Sequence, residues 1–161
     1  MAKIGIVIVI AAIIVSMGVA MYMYIQYQPN FIQAIAGEPV TVGPVKYIVT
    51  FEGTHEGDKK TQPENTFVKI RIVAENISQE NTRMSGGQFY LVEENGQKYQ
   101  AVFGEFSGED LHVGYLEPGK PASWTTQFDV PYDEEKKFDI VIRPTKEQST
   151  IDTAMICLTN C

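Results

Sequence analysis

The sequence has no acidic residue before Glu38 and no charge of either sign between Lys3 and Glu38. A stretch so poor in charge does not read as the surface of a water-soluble domain. The remainder is short of the residues that build reactive centres. It holds two histidines, His55 and His112, and two cysteines, Cys157 and Cys161. No histidine follows either cysteine, which argues against a blue-copper ligand order. There is no H-E-x-x-H, no P-loop, no Gly-rich dinucleotide fingerprint and no Ser-His-Asp order. The reading is therefore non-enzymatic, with no catalytic residue and no cofactor assigned. Basic residues are also scarce. Past Gly37 there are 12 of them against 20 acidic ones, a formal charge of −8. That balance repels polyanions, so nucleic acid is not an expected partner.

What is present begins with IGIVIVIAAIIVSMGVAMYMYI, residues 4–25. As a helix this run would be about 33 Å long at ~1.5 Å per residue, close to the ~30 Å of a bilayer's hydrocarbon core. Glycines and β-branched residues weaken such a helix in water, but in lipid the backbone must bond to itself. Tyr22, Tyr24 and Tyr27 gather at one end, where an aromatic belt meets the headgroups, and Lys3 stands at the other. Positive charge at the N-terminal flank keeps that end in the cytoplasm and sends the rest outside. A cleaved signal peptide would have a shorter apolar run. Gly18-Val19-Ala20 is a tolerable cleavage site, but the run continues past it. The leader is read as an uncleaved anchor, giving a single-pass cell-membrane protein with an extracytoplasmic domain.

The resulting division is an anchor at 1–25, a stem at 26–37 and one domain at 38–161. In the stem, Pro29 is expected to stop the helix. Asn30 is expected to cap a second, interfacial helix over residues 31–36, ending at Gly37.

From Val40 the apolar period becomes two. In TFVKIRIVAEN (66–76), Val68, Ile70, Ile72 and Ala74 form a uniformly apolar set that should face a core. Asn95-Gly96 lies between two β-rich runs and predicts a hairpin with a type I′ turn. Pro118-Gly119 predicts another turn. Trp124, on an alternating strand, is the expected centre of the core. Seven or eight short strands with regular turns predict an all-β, immunoglobulin-like antiparallel β-sandwich behind one N-terminal transmembrane helix.

Some residues invite a chemical reading. Cys157 and Cys161 lie four positions apart, which a straight strand would separate by ~13 Å, too far for a disulfide. A turn would bring them within range, and the oxidising side of a membrane favours the bond. A metal site would need the fold to gather these cysteines with His55, His112 and Met155. Glu105, Glu109 and Asp110 form an acidic cluster without the spacing of a calcium loop. Asn76-Ile77-Ser78 is a glycosylation sequon.

Four segments, TFVKIRIVAENIS (66–78), FYLVEENGQKY (89–99), LEPGKPASWTTQFDVP (116–131) and FDIVIRP (138–144), together resemble a telokin-like, immunoglobulin-fold family of unknown function. Its members are often lipid-anchored or membrane-anchored proteins of bacteria and archaea. The resemblance covers residues 40–144 and implies an extracytoplasmic sandwich with a role in binding or assembly. The expected function is a non-enzymatic interaction module, an accessory subunit whose partners are the membrane and other membrane-protein subunits. The alternatives are a pilin-like filament subunit and a small metal-binding protein. The exposed sheet edges, or the loops at 54–65 and 104–114, are the expected soluble contacts.

Overall fold

The computed structural model describes residues 2–28 and 30–161. Pro29, expected to stop the helix, and the side chain of Lys3, expected to orient it, lie outside the described residues. Helix α1 spans Ala2–Gln26. Every described side chain from Gly5 to Gln28 is exposed, so the helix packs against nothing in its own chain. Among the described residues, Gly5–Gln26 is one helix long and apolar enough to cross a membrane.

Eleven strands follow among the described residues. They are β1 (Phe31–Ile35), β2 (Pro39–Val42), β3 (Val45–His55) and β4 (Thr66–Asn76). Next come β5 (Thr82–Ser85), β6 (Phe89–Glu93), β7 (Lys98–Val102) and β8 (Val113–Leu116). The last are β9 (Pro121–Val130), β10 (Phe138–Ile142) and β11 (Thr153–Thr159). Two layers form a sandwich. One runs β1-β11-β10-β6, the other β9-β4-β3-β2, and β7 joins them by pairing with β6 through Lys98–Gln100 and with β9 through Ala101 and Val102. β5 and β8 pair as a separate two-stranded ribbon.

The core follows from the alternation. Val68, Ile70, Ile72 and Ala74 all point inward, opposite Phe128, Thr126, Trp124 and Ala122 of β9 on one side. On the other side they face the inward residues of β3, with Val49 across from Ile72 and Tyr47 across from Ala74. Tyr47, Phe89, Phe128 and Phe138 are fully buried and fill the space between the sheets. Tyr47 and Phe89 meet edge to face with centroids 6.1 Å apart.

Four expectations need correction. The stem helix over 31–36 is a strand: Asn30 accepts the Thr153 N–H (2.9 Å) and the Ala36 N–H reaches Cys157 O (2.8 Å). Backbone pairing with a segment more than a hundred residues away outweighs the local cap signal, and β1 joins the sandwich. That pairing is parallel, so the sheets are not purely antiparallel. The hairpin at Asn95-Gly96 is present, but Gly96 N–H bonds Glu93 O (2.8 Å) and Gly96 has φ +85° while Asn95 does not have a positive φ. This is a type I turn closed by a left-handed glycine, the common three-residue loop, rather than type I′. Trp124 is only half-buried. Its indole lies on Gly114 of β8, where an added Cβ would come within 2.7 Å of the ring.

Candidate functional site

The site begins with an irregularity in β3. Phe51 pairs with Ile70 and Gly53 with Lys69, so Glu52 is an extra residue, a β-bulge. Gly53 takes φ +123°, a conformation suited to glycine. Alternation from Tyr47 would aim His55 inward. The bulge flips the phase, so His55 pairs with Phe67 and stands on the outer face of the sheet. No period-two reading of the sequence finds that position.

The two loops singled out as contacts come together here. Phe106, from the loop between β7 and β8, lies 5.8 Å from the His55 ring and 5.1 Å from Phe67. Asp110 builds this loop: its carboxylate accepts the N–H groups of Phe106 (2.6 Å) and Ser107 (2.8 Å) and the Thr125 hydroxyl (3.1 Å). Backbone bonds from Leu111 N–H to Thr125 O and from Thr125 N–H to Glu109 O clamp it to β9, both 2.8 Å. The result is an open cleft of about 410 Å³ lined by Glu52, Thr54, His55, Lys69, Phe106 and Gln127.

Its polar groups are engaged with one another. His55 Nδ1 accepts the Gly57 N–H (3.1 Å), so Nε2 carries the proton and donates to Gln127 Oε1 (3.2 Å). Neither ring nitrogen keeps a free lone pair for proton abstraction or metal ligation. Lys69 Nζ lies 3.4 Å from Glu52, and Arg71 bonds Glu52, Glu109 (3.0 Å) and the Ser123 hydroxyl (3.2 Å). Partial burial pushes the Glu52 carboxyl upward, but the hydrogen bonds and charges of Arg71 and Lys69 prevail and hold it below the usual range. Asp110 is also pushed up by burial and pulled lower by the Ser107 and Phe106 amides and the two hydroxyls.

The acidic cluster therefore separates. Glu109 serves Arg71, Asp110 serves its loop, and Glu105 is exposed. His112 stacks on Phe103 at 6.2 Å, while Met155 sits on β11. Among the described residues no three His, Cys, Asp or Glu side chains converge as a metal site. Cys157 and Cys161 stand at disulfide distance, with Cα atoms 5.7 Å apart. Asn160 makes the required turn at φ +52°, and its amide donates to the carbonyls of Glu134 (2.6 Å) and Lys136 (2.8 Å). Tyr22 and Tyr24 are exposed on the last turns of α1, and Tyr27, just past its end, is exposed as well.

The sequon expectation is corrected. Asn76 is 0% exposed. Its Nδ2 donates to Glu80 O (2.7 Å) and Leu116 O (3.0 Å), and its Oδ1 accepts the N–H and hydroxyl of Ser78. A glycan on Nδ2 is incompatible with these bonds in the folded domain. Asn76 is a structural residue.

A family model described as Domain of unknown function (DUF4352) matches residues 34–150. Among solved structures, the chain is similar to the yjhA protein of Bacillus subtilis, at 19% identity and TM-score 0.62, over 78% of this chain and 98% of that one. A secreted Mycobacterium tuberculosis protein, MPT63, matches at 11% identity and TM-score 0.61, over 82% and 98%. The ycdA protein of Bacillus subtilis, provisionally assigned as a lipoprotein, matches at 14% and TM-score 0.56, over 75% of this chain but 38% of its own. At these identities the likeness shows the fold alone. No curated protein sequence matches the chain.

Proposed function

The chain belongs to the DUF4352 family, and on that premise we propose that it is a membrane-anchored, extracytoplasmic β-sandwich serving as a non-enzymatic interaction module, an accessory subunit of a membrane-protein complex. Helix α1 is its single span, with the N-terminus in the cytoplasm, and Tyr22, Tyr24 and Tyr27 mark the outer interface. Within the family we read the sandwich as immunoglobulin-like and telokin-like, a reading supported by two packed sheets joined at a corner by β7.

One observation carries the proposal. The loop after β7 folds over the bulged end of β3 to form a cleft whose charges and imidazole are already neutralised or hydrogen-bonded within the domain. Such a surface offers shape, the half-buried ring of Phe106 and rim polar groups, which suit protein contact. A photo-crosslinking benzoylphenylalanine placed at Thr54, inside the cleft, tests this in the full-length protein in its native membrane. The expected result is one discrete adduct with a membrane-protein partner, absent when the same group replaces Gln100 on β7. Equal labelling from both positions would defeat the reading.

A further inference from the structure

Strand direction gives the sandwich two distinguishable ends. The starts of β1 and β11, the β2–β3 turn, the end of β4 and the start of β9 share one end. Gly43 of the β2–β3 turn sits against Thr150, just ahead of β11, and the Ile77 N–H bonds Pro44 O at 2.9 Å. This is the end to which the leader is attached, and the attachment is short. Tyr27 still makes a helical bond to Met23 O (3.0 Å), while Asn30 is already docked, accepting from Thr153 and donating to Asp152 (3.2 Å). Three peptide units separate Tyr27 from Asn30. At ~3.8 Å each, their Cα atoms are at most about 11 Å apart whatever path the chain takes.

Two further features single out this end. Phe31, Ile77 and Ile151 are 67%, 53% and 49% exposed there, three large apolar side chains open to the surroundings. Charge is also segregated. Segments 43–46, 75–83, 117–121 and 143–152, which form this end, hold five basic and five acidic residues. The rest of the domain after Gly37 holds seven basic and fifteen acidic ones, and so carries the whole −8.

We propose that this end of the sandwich lies on the phospholipid bilayer and sets Phe31, Ile77 and Ile151 into its headgroup zone, with the acidic remainder turned away. The proposal rests on α1 spanning the membrane. Given that, the 11 Å limit holds Asn30 close to the tyrosine belt, and apolar side chains at that depth exchange water for lipid. The neutral end can approach anionic headgroups without the repulsion the opposite end would meet.

Single substitutions Phe31→Trp, Ile77→Trp and Ile151→Trp, each in the full-length protein in phosphatidylcholine vesicles, test it. Vesicles containing a lipid spin-labelled at its headgroup quench nearby indoles. The signal of Trp124, measured in the unsubstituted protein, is subtracted, and Lys59→Trp in the remote loop is the control. The expected result is severalfold stronger quenching at Phe31→Trp, Ile77→Trp and Ile151→Trp than at Lys59→Trp. Quenching no stronger than the control, in protein that still floats with the vesicles, overturns the docked orientation and leaves the anchor intact. A dependence of the new indoles' emission on protein density, without quenching, overturns it in favour of a second copy of the chain as the occupant. Protein that fails to float overturns both the orientation and the anchor.

Discussion

The two ends of the sandwich are fastened by different chemistry. At the end nearest α1 the buried ties are neutral, and its ion pairs, Lys46–Glu75 (3.5 Å) and Lys120–Glu117, lie at the surface. Gln88 Nε2 donates to Arg143 O (3.0 Å) and Gln148 Oε1 (2.9 Å), Gln148 Nε2 donates to the Tyr47 hydroxyl (3.1 Å), and Asn76 closes the turn after β4. At the far end the ties are ionic or lie in the tail. Lys136 Nζ is 2.6 Å from Glu93, Tyr99 donates to the same carboxylate, and Asn160 is held beside the Cys157–Cys161 pair. Neutral hydrogen bonds carry a smaller desolvation penalty near an apolar boundary than ion pairs do. Ion pairs are better placed where water screens the net charge around them.

The largest expected effect comes from trimming the leader at two points. Removing residues 1–28 keeps β1 and should yield a soluble, folded domain. Removing 1–36 strips β1 from β11 and takes Ile32 and Ala34 out of the core margin, a loss of about 2–5 kcal/mol. Urea unfolding of the two fragments checks the difference, and equal midpoints would mean that β1 contributes nothing to the near end.

Within the neutral network, Asn76→Ala should cost about 3 kcal/mol by chemical denaturation, because Leu116 O and Glu80 O lose a buried donor. Tyr47→Phe should cost only about 1 kcal/mol, since Gln148 Nε2 retains Arg83 O at 3.3 Å. Burial pushes the Tyr47 hydroxyl up to about 12, against small lowering by Gln148 and Gln88. A folded value raised above the ordinary 10.0 contributes stability below pH 10.0 that is lost as pH rises from there to about 12. Tyr47→Phe should remove that part of the alkaline loss in a melting series.

Acid should act on the far end. The hydrogen bond from Lys136 is the main cause holding Glu93 below its ordinary 4.5, opposed by desolvation. A carboxylate with a lowered folded value contributes stability above 4.5 that fades as pH falls through 4.5 and on through the folded value. Lys136→Met should flatten the acid limb of a melting-temperature series, while Tyr47→Phe leaves it unchanged. Reduction should have the smallest effect. A ring closed over four residues limits the unfolded chain little, so the melting temperature should barely move while amide exchange rises at Asn160 and in the 133–137 connection.

Much of this frame was legible in the residues. The inward set of β4 needs only period-two alternation, and α1 needs only its length and lack of charge. β1 was not legible, because FIQAI lacks clean alternation and its strand character comes from β11. β5 is hidden for a related reason: TRMS is four residues long, lies in a turn-rich stretch and pairs only with the equally short β8. The candidate cleft was half legible. Its two loops were identifiable by composition, but His55 reaches the outer face only because one extra residue, Glu52, reverses the phase.

The account depends most directly on the side of the membrane that carries the sandwich. Lys59→Cys, in the exposed loop after β3, can be treated on intact cells with a membrane-impermeant maleimide. Prompt labelling of the full-length protein before lysis is the predicted result, and labelling that occurs only after the cells are opened would contradict it.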